Sequence, residues 1–130
     1  MDYGIAVRSA APMAETVERV RTALADQGFG VLTEIDVQAT LKAKLGQESE
    51  PYLILGACNP QLAHQALGVD RRIGLLLPCN VVVRVDGEST MVEALDPQVI
   101  VSVPEDSRLQ PIADEAGRRL RAALQAVGER

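Results

Sequence analysis

Two cysteine-asparagine pairs hold the side chains best suited to chemistry. Cys58-Asn59 lies within Leu55-Gly56-Ala57-Cys58-Asn59-Pro60, and Cys79-Asn80 within Leu77-Pro78-Cys79-Asn80-Val81. These are the two cysteines of the chain, and each stands at a break in an apolar run. A thiol offers a nucleophile or a soft ligand atom, and the amide beside it offers both a donor and an acceptor. Asn59-Pro60 is also a helix-start signal. Asparagine is a preferred cap, and proline at the first helical position has its backbone angle pre-set. Cys58 then stands just before a helix N-terminus, where free N–H groups and the dipole favour a thiolate.

The candidate ligand-binding residues are therefore Cys58, Asn59, His64, Cys79 and Asn80. His64 is the one histidine and falls on the helix that Asn59 caps. Cys79 and Asn80 join them if the two strand ends meet in space. The competing reading is structural. Free cysteine is among the most buried residue types; Asn59 is then only a cap, and Asn80 a turn residue.

Other chemistries fit the spacing less well. Cys58, His64 and Cys79 give a metal three ligands, whereas a closed zinc site takes four, usually in CxxC or HxxxH pairs. Neither spacing occurs, although Cu(I) accepts fewer ligands. The CxxC redox motif is absent. A Cys58–Cys79 disulfide would require Cα atoms within ~7 Å. Gly28-Phe29-Gly30 leads from helix to strand, the reverse of a dinucleotide fingerprint. No G-x-S-x-G elbow occurs. No catalytic residue, metal or cofactor is assigned on this basis.

The elements that would position these groups follow from periodicity. Residues Tyr3 to Arg8 alternate as a short strand. Pro12 opens a helix with Met13, Val17, Val20 and Leu24 at helical spacing, and Gly28 closes it. Phe29, Val31, Thr33 and Ile35 alternate as a strand with one wetted face. Asp36 caps a short helix carrying Val37, Leu41 and Leu45, which Gly46 stops.

Tyr52 to Leu55 reads as a buried strand. After the helix begun at Asn59-Pro60, Gly68 marks an end. Ile73 to Leu77 is apolar throughout and fits a strand or a buried connector equally. Asp86-Gly87-Glu88-Ser89 joins two strands as a hairpin, with Val81, Val83 and Val85 sharing a face with Thr90, Val92 and Ala94. Gln98 to Val103 is ambiguous. Ser107 is placed to cap a last helix whose apolar stripe is Leu109, Ile112, Ala116, Leu120, Leu124 and Val127.

The expected architecture is a two-layer α/β (α+β) domain over residues 1–130, β-α-β-β-β-β-α in plan. Its antiparallel or mixed sheet carries the first and last helices on one face, with short helices in the connections. Aromatic residues make up 2% of the 130 residues, so the core must be aliphatic. The other face of the hairpin presents Val82, Arg84, Met91, Glu93 and Leu95, neither clean core nor clean solvent surface. A second copy is the expected partner for it, because twofold dimers are the commonest oligomers.

Net charge is −5. With no basic stripe and few aromatics, nucleic-acid binding is not expected. No apolar run reaches the ~18 residues of a membrane span. Nothing resembles a signal peptide, so the expected location is the cytoplasm, with free thiols.

Both Cys-Asn motifs, in this order, together with Ile73-Gly74-Leu75-Leu76-Leu77-Pro78, resemble the family catalogued as domain of unknown function 302. Gly28-Phe29-Gly30-Val31, Glu34-Ile35-Asp36-Val37 and Asp96-Pro97 are similar to that family as well. The resemblance implies a compact two-layer α/β domain, usually a homodimer, and no established activity. The family's motif residues fall on Cys58, Asn59, Pro60, Pro78, Cys79 and Asn80. The expected function is a homodimeric module for a small ligand or metal with a Cys-Asn site. One alternative is a thiol-dependent redox or persulfide enzyme using Cys58 and Cys79. The other is a structural or interaction protein with inert cysteines.

Overall fold

The computed structural model describes residues 2–128. Five strands form one sheet: β1 (Gly4–Ser9), β2 (Gly30–Asp36), β3 (Tyr52–Cys58), β4 (Cys79–Asp86) and β5 (Ser89–Leu95). Their spatial order is β1-β5-β4-β3-β2, and every pairing is antiparallel. The helices are α1 (Met13–Asp26), α2 (Val37–Leu45), α3 (Pro60–Val69), α4 (Val99–Ser102) and α5 (Gln110–Val127). The expected two-layer α/β plan is therefore present, with the choice between mixed and antiparallel resolved as antiparallel.

The α1 and α5 helices pack on each other and on one face of the sheet. Val20 and Leu24 of α1 and Leu120 and Leu124 of α5 meet Leu55, Val81, Val83 and Val92 in an aliphatic core. Each fully buried side chain of this kind contributes roughly 1.5–3 kcal/mol. The hairpin register is the one that the alternation demands, with Val81 opposite Ala94, Val83 opposite Val92 and Val85 opposite Thr90. A second apolar cluster gathers Ala66, Ile73, Ile100, Leu109, Ile112 and Ala113 beside the start of α5.

The turn between β1 and α1 is tied by hydroxyls. The buried Ser9 and Thr16 side chains hydrogen-bond at 2.9 Å, and Thr16 and Thr90 both donate to the Ala11 carbonyl. This bond set fixes where α1 leaves the sheet, at Pro12.

Three local expectations are corrected and one open choice is settled. A bulge between Val31 and Thr33 interrupts β2, so Val31 packs on the core while Thr33 and Ile35 pair with Gly56 and Ile54 on the other face. One extra residue shifts the two-residue period. Ile73 to Leu77 is a connector, whose Arg71–Leu76 portion forms a 3-10 turn; Asp70 caps it by accepting from the Arg72 N–H. Asp106, not Ser107, caps the Ser107–Leu109 turn before α5, and its carboxylate also holds Arg108. Gly68 does not end α3, which runs through it to Val69. In α2 the expected stripe exists but no residue is buried.

Candidate functional site

The cysteines arrive from adjacent strands at the same end of the sheet. Cys58 is the last residue of β3 and Cys79 the first of β4, and Cys79 lies opposite Ala57. Both thiols are free and partly buried. Both line one narrow cavity at the junction of the two apolar clusters.

The cavity walls are nearly all hydrocarbon. Phe29 and Ala57 come from the sheet layer, Leu62, Ala63 and Ala66 from α3, and Ile112 and Ala116 from α5. Leu77, Pro97 and Ile100 close it from the connections. The space measures about 400 Å³ with its open mouth included. The walls suit an apolar group.

Polarity is confined to the thiols and Asn59. The Asn59 side chain caps α3, its Oδ1 accepting from the Leu62 N–H at 3.2 Å. Pro60 follows as the first helical residue, as its missing donor allows. The Cys79 thiol is pushed up to about 11, first by burial and then by the nearby charge of Cys58. Cys79 is therefore a neutral, soft wall of the cavity at neutral pH.

The remaining sequence candidates lie elsewhere. His64 is exposed and lines a separate depression with Gln65, Leu67, Gly68 and Arg71. Asn80 is exposed on the opposite face of the sheet, beside Tyr52, Val82 and Glu93. That follows from strand geometry, since successive residues point to opposite faces. The trio Cys58, His64 and Cys79 is thus not assembled as a metal set. Among the described residues no three His, Cys, Asp or Glu side chains gather to hold an ion.

Sequence reasoning did not single out the cavity walls. The available signal was the small residues on two apolar stripes, Ala63 and Ala66 on α3 and Ala116 on α5. Small residues leave room where larger ones would interlock. Two arginines of α5 lie outside that lining. Arg119, one turn beyond Ala116, donates to Glu115 through Nε at 2.7 Å and to the Gln27 carbonyl through Nη1 at 3.3 Å. Arg118 shares the same glutamate. Together Arg119 and Arg118 hold the Glu115 carboxyl below its usual range.

No described helix is long and apolar enough to cross a membrane. No curated protein matches the chain. A solved crystal structure of an uncharacterized conserved protein DUF302 from Bacillus stearothermophilus is similar, at 33% identity and a TM-score of 0.91. The match covers 97% of this chain and 98% of that one. The model of the family described as Domain of unknown function DUF302 matches residues 5–127. With fold, motifs and most of the chain's length in agreement, the chain belongs to the domain of unknown function DUF302 family.

Proposed function

We propose that this chain is a cytoplasmic, homodimeric binding protein for a small, slim apolar ligand. Cys58, Asn59 and Cys79 form the polar end of its site. One observation carries this reading: a narrow hydrocarbon-walled cavity receives both thiols and little other polarity. Ligand pockets are commonly apolar with a few oriented polar groups. His64 and Asn80 fall outside this ligand set, because each lines a different depression. A thiol enzyme with Cys79 as the resolving thiolate is less favoured, since burial keeps that thiol protonated.

The dimer reading rests on the uncovered sheet face. Val82, Met91 and Leu95 lie there with Ile54 and Ile35 of the neighbouring strands. Glu93 makes no ion pair among the described residues, and Arg84 reaches only Asp86, at 4.0 Å. In a twofold contact Glu93 of one copy can meet Arg84 of the other, so the surface complements itself in charge.

Butan-1-ol is the probe for the cavity. Added to labelled protein, it should shift the amide resonances of Ala57, Ala63 and Ala66 in a saturable way. Ala63→Leu, which fills the space, should abolish the response. No saturable shift in the wild-type protein would remove the binding reading.

A further inference from the structure

We infer that a carboxylate subsite lies beside this cavity, where the Asn59 amide, one of its lining groups, and the Arg119 guanidinium converge above Gly28. The inference rests on the cavity reading and adds the polar end of the ligand: a small acid with a slim apolar tail.

The Asn59 amide has a fixed orientation. Its Oδ1 is committed to the Leu62 N–H, so Nδ2 must point the other way. Asn59 is 7% exposed, yet its Nδ2 has no hydrogen-bond acceptor among the described residues. No sealed side-chain nitrogen or oxygen among the described residues lacks a partner, so this Nδ2 is open to solvent.

A second donor converges on the same place. A Cβ placed on Gly28 would lie 3.1 Å from Asn59 Nδ2 and 3.1 Å from Arg119 Nη1. Gly28 is exposed and has φ +83°, so no side chain of its own separates these two donors from solvent. The Arg119 Nη2 has no hydrogen bond among the described residues, and its Nη1 contact to Gln27 is long, at 3.3 Å.

The charge balance favours an anion. Glu115 is the carboxylate in contact with Arg119, and it is shared with Arg118, so two guanidinium groups face one carboxylate. A planar guanidinium presents paired N–H groups that match the two oxygens of a carboxylate. Phe29, next in sequence to Gly28, and Asn59 itself both line the cavity. An acid held over Gly28 therefore has the hydrocarbon walls within reach of its tail.

The test compares butanoate with butan-1-ol, two probes with one tail, by amide shifts at pH 7. The wild-type protein should bind butanoate about tenfold more tightly, the margin of a charge-assisted hydrogen bond. Asn59→Asp keeps an oxygen to cap α3 and replaces the donor with a negative charge. Arg119→Gln removes the guanidinium. In each variant the ratio should fall to about one or below. Equal affinities in the wild-type protein, or a ratio that survives in both variants, would overturn the subsite and leave the cavity reading standing. Failure of both probes to shift Ala57, Ala63 and Ala66 would overturn both.

Discussion

Cys58 stands one residue beyond the ladder partner of Cys79, Ala57, so the thiols occupy neighbouring strands at one end of the sheet. The β3–β4 pairing alone brings them there. Strand β3 continues past the apolar run to its cysteine, and β4 begins at its own. The two sites then differ in role. Cys58 leads directly into the Asn59 cap, while Cys79 shares the core-facing side of β4 with Val81 and Val83.

Burial of Cys79 predicts a specific alkaline weakness. Its folded value lies near 11, above its ordinary 9.0. Below pH 9 the thiol is protonated in both folded and unfolded chains. Between about pH 9 and 11 the unfolded chain loses that proton first, so stability falls as pH rises. A shift of this size corresponds to about 3 kcal/mol in full, most of it lost by pH 11. Urea unfolding at pH 8 and pH 11 should show that extra loss in the wild-type protein and not in Cys79→Ala. Parallel pH profiles for the two proteins would contradict the assignment.

Gly28→Ala should destabilise the fold by about 1–2 kcal/mol, the cost of left-handed backbone for a side chain with a Cβ. The new methyl group would also lie 3.1 Å from Asn59 Nδ2 and Arg119 Nη1. Chemical denaturation measures the first effect. A variant as stable as the wild-type protein would show that this turn relaxes freely.

Thr16→Val tests the hydroxyl set at the first turn. It keeps the shape but removes the bond to Ser9 and the donor to Ala11. A loss of about 1–3 kcal/mol is expected, because partners are left unmet in a buried place. Thr16→Ser, which retains the hydroxyl, should lose less. The reverse order of the two variants in a urea melt would contradict this role.

Self-association through the open sheet face predicts a dimer in sedimentation equilibrium. Val82→Asp would bury an unpaired charge in that contact and should raise the dimer dissociation constant by about tenfold or more. Glu93→Arg alone should weaken the dimer, and adding Arg84→Glu should restore it. A wild-type protein that sediments as a monomer at high concentration would overturn the interface.

Much of the scaffold was legible because short-range chemistry specifies it. Asn59-Pro60 starts α3, Asp36 and Gly46 bound α2, and the hairpin pairs as its alternation requires. The misreadings arose where one residue changes the phase. The bulge in β2 reversed the faces of Thr33 and Ile35 relative to Val31, which no local pattern announces. Asn80 follows a cysteine that opens a strand, so it faces away from that cysteine's side. Its direction could be known only once the start of β4 was known. His64 was separable in principle. Leu62, Ala63 and Ala66 define the inner face of α3, and position 64 lies off it. The cavity itself depends on how three elements fail to fill the space between them, a property of packing that pairwise spacing does not encode.

The most direct measurement is a crystal of the wild-type protein exposed to pressurised xenon. Xenon is apolar, compact and electron-rich, and it enters apolar cavities. The account predicts a xenon atom among Phe29, Leu62, Ala66 and Ile112, beside Cys58 and Cys79, and none there in Ala63→Leu. Crystals that take up xenon only at other places would contradict the claim that this cavity is a binding site.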